Sequence, residues 1–511
     1  LEGMAMVVRK SFLSKTKGFI LEHRTGGEAV TVQSISSTRE CIDYWELREQ
    51  IKRIIPRQTV LHQMNSAQAG LVKEKGRKTN YKQFNLQTGE WDNVQRLLNE
   101  TEVNSFLEVS LRAAACPMPL NLDVWDGLKC PFRCKYCFAD YFRASLYTSF
   151  FDNSKSIGLR HCNPDYYKKE LDKLFDTYRY KDPHSINNEI GKAIALKIPM
   201  RLGIRFEDFT PREKREGVSL ALLQYLSERQ YPVMINTKSH LVGEEAYVEA
   251  LASNSAKAAV HMTMISCDED FLKKVEPGAP CFQKRIDACR NLSLGGVRVV
   301  ARIEPYMVFL NDSPTMLSEY MDALKYAKIK HITFDTYSYS AYNPGIRQNF
   351  LEIGLDFDRM FLLGSDSQGI GSLLLDSYMD LFRRAGFKCS TFDLGNVPNN
   401  SQLICCEVGD LWRDCGFNYG SVVPAARFIV SRGNCPTTWN DFAEYVEQNG
   451  GFLSKRLKME VKQLWNVDGN WAYAVNWGAG IEPAGRDEDG MIWKYESEID
   501  FRKNLLNSLI I

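Results

Sequence analysis

An α/β protein built on a partial (β/α)6 barrel, with α+β regions on either side, is what this sequence predicts, on three observations. Between Asn121 and about Tyr339, short β-rich runs alternate with amphipathic helical ones, the pattern of a parallel sheet wound with helices. Glycine or proline punctuates the strand-like runs. The chain has 511 residues, past the ~250–300 at which a single core stops growing, so further packed units are expected around the barrel.

In chain order, the leading tripeptide Leu1-Glu2-Gly3 precedes Met4, the first residue able to initiate translation, and the fold reading starts there. Residues 4 to 115 mix short extended and helical stretches, with a basic, solvated run from Lys73 to Lys82. The barrel is expected over 116–345. Its strands are LNLDVW, MRLGIRF, PVMINT, AAVHMTMI, VRVVARIEP and HITFDTY, and its helices lie near 213–229, 244–253, 281–294 and 314–328, besides one opened by cysteines after the first strand. Connections in α/β units run ~2–6 residues, so the stretch from about 150 to 197, with its own two helical patterns, reads as an insertion that caps or lines a site. After 345 the alternation stops, and 346–511 reads as a mixed C-terminal unit.

Composition excludes several classes. At 44% hydrophobic and 25% charged, with 64 basic and 63 acidic side chains, the chain matches an average globular protein rather than a disordered, collagenous or supercharged one. A net charge of +1 provides no global field toward nucleic acid or membrane, and says nothing of a local groove. There is no apolar run of about 18 residues and no signal-like start, so a cytoplasmic protein without membrane contact is expected. Fourteen cysteines in such a compartment point to clusters or reactive thiols rather than disulfides.

The chemistry-bearing motif is Cys130-Pro-Phe-Arg-Cys134-Lys-Tyr-Cys137. Thiolates offset by four and three residues suit an iron–sulfur cluster, and three ligands leave one iron open to a chelating substrate. A zinc knuckle, with the barrel serving as a scaffold, is the alternative from spacing alone.

In its context after a β-strand, with an aromatic before the third cysteine, the motif resembles that of the radical S-adenosylmethionine (SAM) superfamily. The resemblance implies that Cys130, Cys134 and Cys137 bind a [4Fe-4S] cluster and that its open iron chelates SAM. An external one-electron reductant of the flavodoxin or ferredoxin type then drives cleavage to a 5′-deoxyadenosyl radical. Tyr136 would lie against the SAM adenine or the cluster.

Four further segments, among them Thr237-Lys238-Ser239 at a strand end, resemble the spore photoproduct lyase-like branch of that superfamily, so that the likeness spans about 121–312. Gly203 to Glu213 (GIRFEDFTPRE) is similar to its GxxxDPFQPxE, with Glu207 in place of Asp and Asp208 in place of Pro. Thr263 to Pro280 (TMISCDEDFLKKVEPGAP) and Gly296 to Asp312 (GVRVVARIEPYMVFLND) follow in order. By resemblance, Lys238 and Thr263 supply a cation and a hydroxyl to the SAM carboxylate, chemistry suited to charge-assisted hydrogen bonds, and Glu207 joins the cofactor-binding set. Arg302, on a strand facing the barrel interior, needs an anion there: a carboxylate of SAM or substrate, or a structural acid such as Glu304. Glu276 and Pro277 read as shaping a loop.

The dimer-repair enzyme of this branch uses a cysteine and tyrosines as hydrogen donors. Here Phe138 follows the third cluster cysteine, and Cys162, inside the insertion, is the nearby candidate for a catalytic thiol. Glu207, Asp208, Lys238, Thr263, Arg302 and Tyr337 make the expected barrel mouth polar. A nucleobase or nucleotide substrate, repaired or modified, is therefore expected, with a peptide or small molecule as the alternative. The C-terminal Cys389, Cys405, Cys406, Cys415 and Cys435 admit an auxiliary cluster. The C-terminal tryptophans offer either base stacking or core packing.

Overall fold

The computed structural model describes residues 7–9, 20–22, 45, 48–49, 102–103, 108–111, 120–126, 130–137, 139, 160–204, 206–307, 310–336, 349–355, 370–391, 406–412, 422–448, 455–466 and 481–495. The strands are β1 (Val7–Arg9), β2 (Ile20–Glu22), β3 (Glu102–Val103), β4 (Glu108–Leu111), β5 (Leu120–Asp123), β6 (Trp125–Asp126), β7 (Arg160–Cys162), β8 (Met200–Leu202), β9 (Val233–Thr237), β10 (Ala258–Thr263), β11 (Arg298–Tyr306), β12 (His331–Thr336), β13 (Lys388–Thr391), β14 (Ile481–Asp487) and β15 (Gly490–Tyr495). The helices are α1 (Pro164–Tyr178), α2 (Glu189–Ala195), α3 (Glu213–Glu216), α4 (Val218–Glu228), α5 (Glu245–Ala252), α6 (Glu269–Val275), α7 (Phe282–Leu294), α8 (Pro314–Tyr326), α9 (Ile370–Arg384), α10 (Val422–Ser431), α11 (Trp439–Gln448) and α12 (Lys455–Asn466).

An eight-stranded sheet runs β13-β12-β11-β10-β9-β8-β5-β4. Its seven strands from β5 to β13 are parallel, and β4 adds antiparallel to β5 at the edge. The order begins and ends on different strands, so the barrel is partial and open. Strands covered on both faces read as continuous apolar runs, and β9 and β10 are buried along their whole length. On the helix-covered face Leu122, Leu202, Ile235, Val260, Ala301 and Phe334 join the main core.

The other face is closed at its lower end by residues 406–412. Val408 and Trp412 pack on Met234, Ala259 and Val300. Arg298 holds Asp410 with two hydrogen bonds of 2.9 Å, and Trp412 Nε1 donates to the Ala256 carbonyl at 2.9 Å. This stretch of the C-terminal part thus seals the strand N-terminal ends, opposite the mouth.

Two features depart from the expected outline. The α9–β13 unit continues the sheet beyond residue 345 with a seventh parallel strand. The helix expected over 213–229 is two, because Gly217 takes φ 64°, a left-handed turn that favours glycine. Within the insertion, β7 pairs with β3 and β6, and α1 buries Tyr167, Leu171 and Phe175.

Candidate functional site

The cysteine segment is positioned by its neighbours. Asp208 accepts from the Val124 and Trp125 amides, both at 3.1 Å, and from Gly203 N at 2.9 Å, clamping the end of β5 to the β8 loop. Residues 130–137 then fold into two tight turns, Arg133 N to Cys130 O and Cys137 N to Cys134 O, each 3.2 Å. Where a cysteine-bearing helix was expected, the motif itself is turn; Ala139 is helical and Phe138 lies outside the described residues.

The turns dock on the loop after α6. Lys135 N donates to Val275 O at 2.8 Å and Gly278 N to Phe132 O at 3.0 Å. A Cβ on Gly278 would fall 2.1 Å from Pro131 O, so the backbones approach as only glycine allows. Phe132 and Tyr136 are buried anchors, while Cys130, Cys134 and Cys137 are not in disulfides and are partly exposed.

Strand register gathers the expected cofactor residues. Thr263 pairs with Arg302, and Arg302 with Thr333. Thr237 pairs with Met262, so Lys238, one residue on, comes beside Thr263. Side chains alternate along a strand, which puts Lys238, Thr263 and Arg302 in one row on the face opposite the helices, at the C-terminal strand ends. Lys238 Nζ lies 5.4 Å from the centre of the Tyr136 ring. Burial alone lowers the Lys238 pKa, but the nearby Cys134 and Glu276 outweigh it and hold the ammonium charged. Burial pushes the Cys134 thiol up, Lys238 opposes this, and Glu276, Cys137 and Cys130 add to it. Arg302 is ion-paired with Glu304, the structural-acid alternative.

Glu207 turns its carboxylate onto the protein's own donors. Thr237 Oγ1 at 2.6 Å, Lys238 N at 3.0 Å and Phe209 N at 3.1 Å all donate to it. Burial raises its pKa against these bonds. Asp208 is raised by burial and by Asp123. Both carboxylates stitch strand ends together beneath the row. Glu213 receives Trp125 Nε1 at 2.8 Å and Tyr247 OH at 3.0 Å.

Sequence reading missed Arg285. On α7 it is 1% exposed, pairs at 2.5 Å with a fully buried Glu276, and donates to Thr263 O at 3.0 Å and Pro280 O at 2.8 Å. Glu276 in turn accepts the Tyr136 hydroxyl. Tyr136, Glu276 and Arg285 thus link the cysteine turns, the docking loop and the end of β10. The E-P-x-x-P segment was the available signal, since a carboxylate beside a glycine-bearing turn needs a partner if buried.

Cys162 is fully buried in the core with Val124 and Trp125, its N–H bonded to Val124 O at 2.9 Å. Tyr337, Cys405 and Cys415 lie outside the described residues, while Cys389 is buried and Cys435 exposed. Trp412, Trp439, Trp465 and Trp493 are buried packing residues. Among the described residues no helix is long and apolar enough to cross a membrane.

The donor set suits a cubane cluster. Its three thiols are uncrosslinked, soft donors of the kind iron–sulfur clusters take. Among the described residues no three His, Cys, Asp or Glu side chains converge to hold a single ion. A cubane does not ask for that convergence, since each thiolate binds a different iron.

No protein-family model matches the sequence, and no curated protein matches it. Among solved structures, the chain is similar to spore photoproduct lyase with bound AdoMet and dinucleoside spore photoproduct, at 12% identity and TM-score 0.40, covering 57% of this chain and 80% of that one. It is also similar to Streptococcus suis SuiB bound to S-adenosylmethionine, at 14% identity and TM-score 0.34, covering 53% of this chain and 50% of that one. A second SuiB structure, bound to precursor peptide SuiA, matches at 12% identity and TM-score 0.34, covering 64% and 60%. All three likenesses are distant and partial.

Proposed function

We propose that the protein is a radical SAM enzyme acting on a polar substrate, a nucleobase or nucleotide being the class that best suits the charged strand ends. One observation carries the reading: the three-cysteine turns and the Lys238–Thr263–Arg302 row meet at one strand end, with Lys238 over Tyr136 and beside Cys134. When bound, a [4Fe-4S] cluster with SAM supplies reductive cleavage of the sulfonium and a 5′-deoxyadenosyl radical able to take a hydrogen atom.

The chain's own residues do the rest. Cys130, Cys134 and Cys137 hold the metal, with the Lys238 ammonium offsetting negative charge beside Cys134. Lys238 and the Thr263 hydroxyl orient a carboxylate. Glu207, spent on Thr237 and the Lys238 amide, fixes the strand end that carries Lys238. Residues 406–412 close the far end of the barrel, which leaves the mouth as the substrate entrance. An external flavodoxin- or ferredoxin-type reductant supplies the electron.

A peptide substrate and a zinc scaffold are the competing readings. Metal analysis after anaerobic reconstitution separates the second: about four irons and four sulfides per chain are expected, lost together in Cys130→Ala/Cys134→Ala/Cys137→Ala. Full iron in that variant, or zinc in its place in the wild type, would reject the assignment.

A further inference from the structure

The row at the strand ends holds two cations, and the chain treats them differently. Arg302 is spent, since Glu304 of the same strand takes its guanidinium in an ion pair. Lys238 is held from its backbone, where Glu207 accepts its N–H at 3.0 Å. Among the described residues no carboxylate lies within ion-pair distance of its ammonium. The ammonium has an aromatic face instead: Nζ lies 5.4 Å from the centre of the Tyr136 ring, inside the ~6 Å over which a ring quadrupole attracts a cation.

The ring is fixed at both ends. Its backbone belongs to the turn closed by Cys137 N on Cys134 O at 3.2 Å, which Lys135 N docks on Val275 O at 2.8 Å. At the other end its hydroxyl donates to Glu276, which is fully buried and paired with Arg285 at 2.5 Å. Arg285 donates onward to Thr263 O at 3.0 Å, so the same chain of contacts reaches the strand end that carries the Thr263 hydroxyl. A phenol that donates to a carboxylate gains electron density, which makes the ring face more negative. Tyr136 is 6% exposed, and a cation–π contact gains most where water is excluded.

A carboxylate and a ring face hold an ammonium with different consequences. A carboxylate partner would cancel its charge and take up an N–H. A ring face attracts the same cation and leaves both its charge and its N–H donors available. Lysine carries its charge on a flexible four-carbon stem, and the bond from Glu207 fixes only the backbone end of that stem.

From this geometry we infer that Tyr136 is a positioning residue: its ring seats the Lys238 ammonium beside Cys134 with N–H donors unspent for the carboxylate of SAM, and Glu276 holds the ring in place for that task. The inference rests on the radical SAM reading and deepens it, giving Tyr136 a role besides any contact with the adenine.

The test is equilibrium dialysis of SAM against the anaerobically reconstituted full chain. Tyr136 is replaced, by nonsense suppression, with phenylalanine, 3,5-difluorophenylalanine and 3,4,5-trifluorophenylalanine. Fluorine withdraws the negative charge of the ring face stepwise while the ring stays in place. SAM affinity should fall with each step, by ~2- to 30-fold over the series, at unchanged iron content. The same series in a Lys238→Met background should be flat, because no cation is left to seat. 3,5-Difluorotyrosine, which keeps the hydroxyl, should also weaken SAM binding, and it covers the case in which Tyr136→Phe loads less iron. Equal SAM affinity across an iron-loaded series overturns the inference. So does an equal decline in the Lys238→Met background, which would assign the ring to stacking on the adenine. An iron-loaded wild type that takes up no SAM would reject the radical SAM reading and this inference together, whereas a flat series with SAM binding intact leaves that reading standing.

Discussion

Replacing Arg285 by Met should cost more stability than replacing Arg285 and Glu276 together. Arg285 and Glu276 are 1% and 0% exposed, 2.5 Å apart, and the pair has no access to water. Removing the guanidinium leaves a buried carboxylate with the Tyr136 hydroxyl as its remaining side-chain donor among the described residues. It also orphans the carbonyls of Thr263 and Pro280. Breaking a buried pair from one side costs about 3–5 kcal/mol, whereas replacing both partners by apolar groups is often near neutral. At roughly 2–4 °C per kcal/mol for a domain of this size, Arg285→Met should lower Tm by ~6–20 °C. Arg285→Met/Glu276→Leu should recover more than half of that, the double variant still losing the bonds to Thr263 and Pro280. Thermal melts of the four proteins complete the cycle, and iron content after reconstitution reports on the cysteine turns. Equal losses in the single and double variants would refute the reasoning, because the destabilisation would then be cavity formation rather than an unpaired charge.

Three further outcomes are expected from the same geometry. Gly278→Ala should cut iron uptake while leaving the secondary structure intact, since its Cβ would meet Pro131 O at 2.1 Å and push the cysteine turns off their dock; full iron loading would contradict this. Lys238→Met should weaken SAM binding ~10- to 150-fold with iron content unchanged, as one charge-assisted hydrogen bond is worth about 1.5–3 kcal/mol, and calorimetry or equilibrium dialysis measures it. Stability should fall as pH drops from ~6.5 toward 3. His261 is buried against Arg302, Arg201 and Arg298, and burial first, then these cations, depress its pKa to about 3. The unfolded chain therefore takes up a proton in that window that the folded chain refuses. His261→Gln should flatten this part of the urea-midpoint profile against pH, and an unchanged slope would show that other groups govern it.

Much of the barrel was legible because its strands are short apolar runs bounded by glycine and proline, and burial on both faces imposes that pattern. The last parallel strand was not, because Lys388–Thr391 is four residues with two hydroxyls and one lysine. Only its pairing with β12 makes it a strand. The edge strand Glu108–Leu111 is equally short, and its antiparallel partner is set by tertiary contact.

Within the site, the cysteines announced themselves by spacing. The meeting of Lys238, Thr263 and Arg302 depends on cross-strand register, which strand patterns alone do not specify. Arg285 was invisible for a related reason. An arginine in FQKRIDACRNLSL reads as a solvated helix face, and its burial comes from Glu276 nine residues earlier, on the loop that follows α6.

The central claim is tested most directly by incubating the anaerobically reconstituted protein with SAM and a strong one-electron reductant, and quantifying 5′-deoxyadenosine and methionine by liquid chromatography and mass spectrometry. The account predicts slow, equimolar formation of both in the wild type, and neither in the variant with Cys130, Cys134 and Cys137 replaced by Ala. No 5′-deoxyadenosine from an iron-loaded wild type, or the same amount from the triple variant, would contradict it.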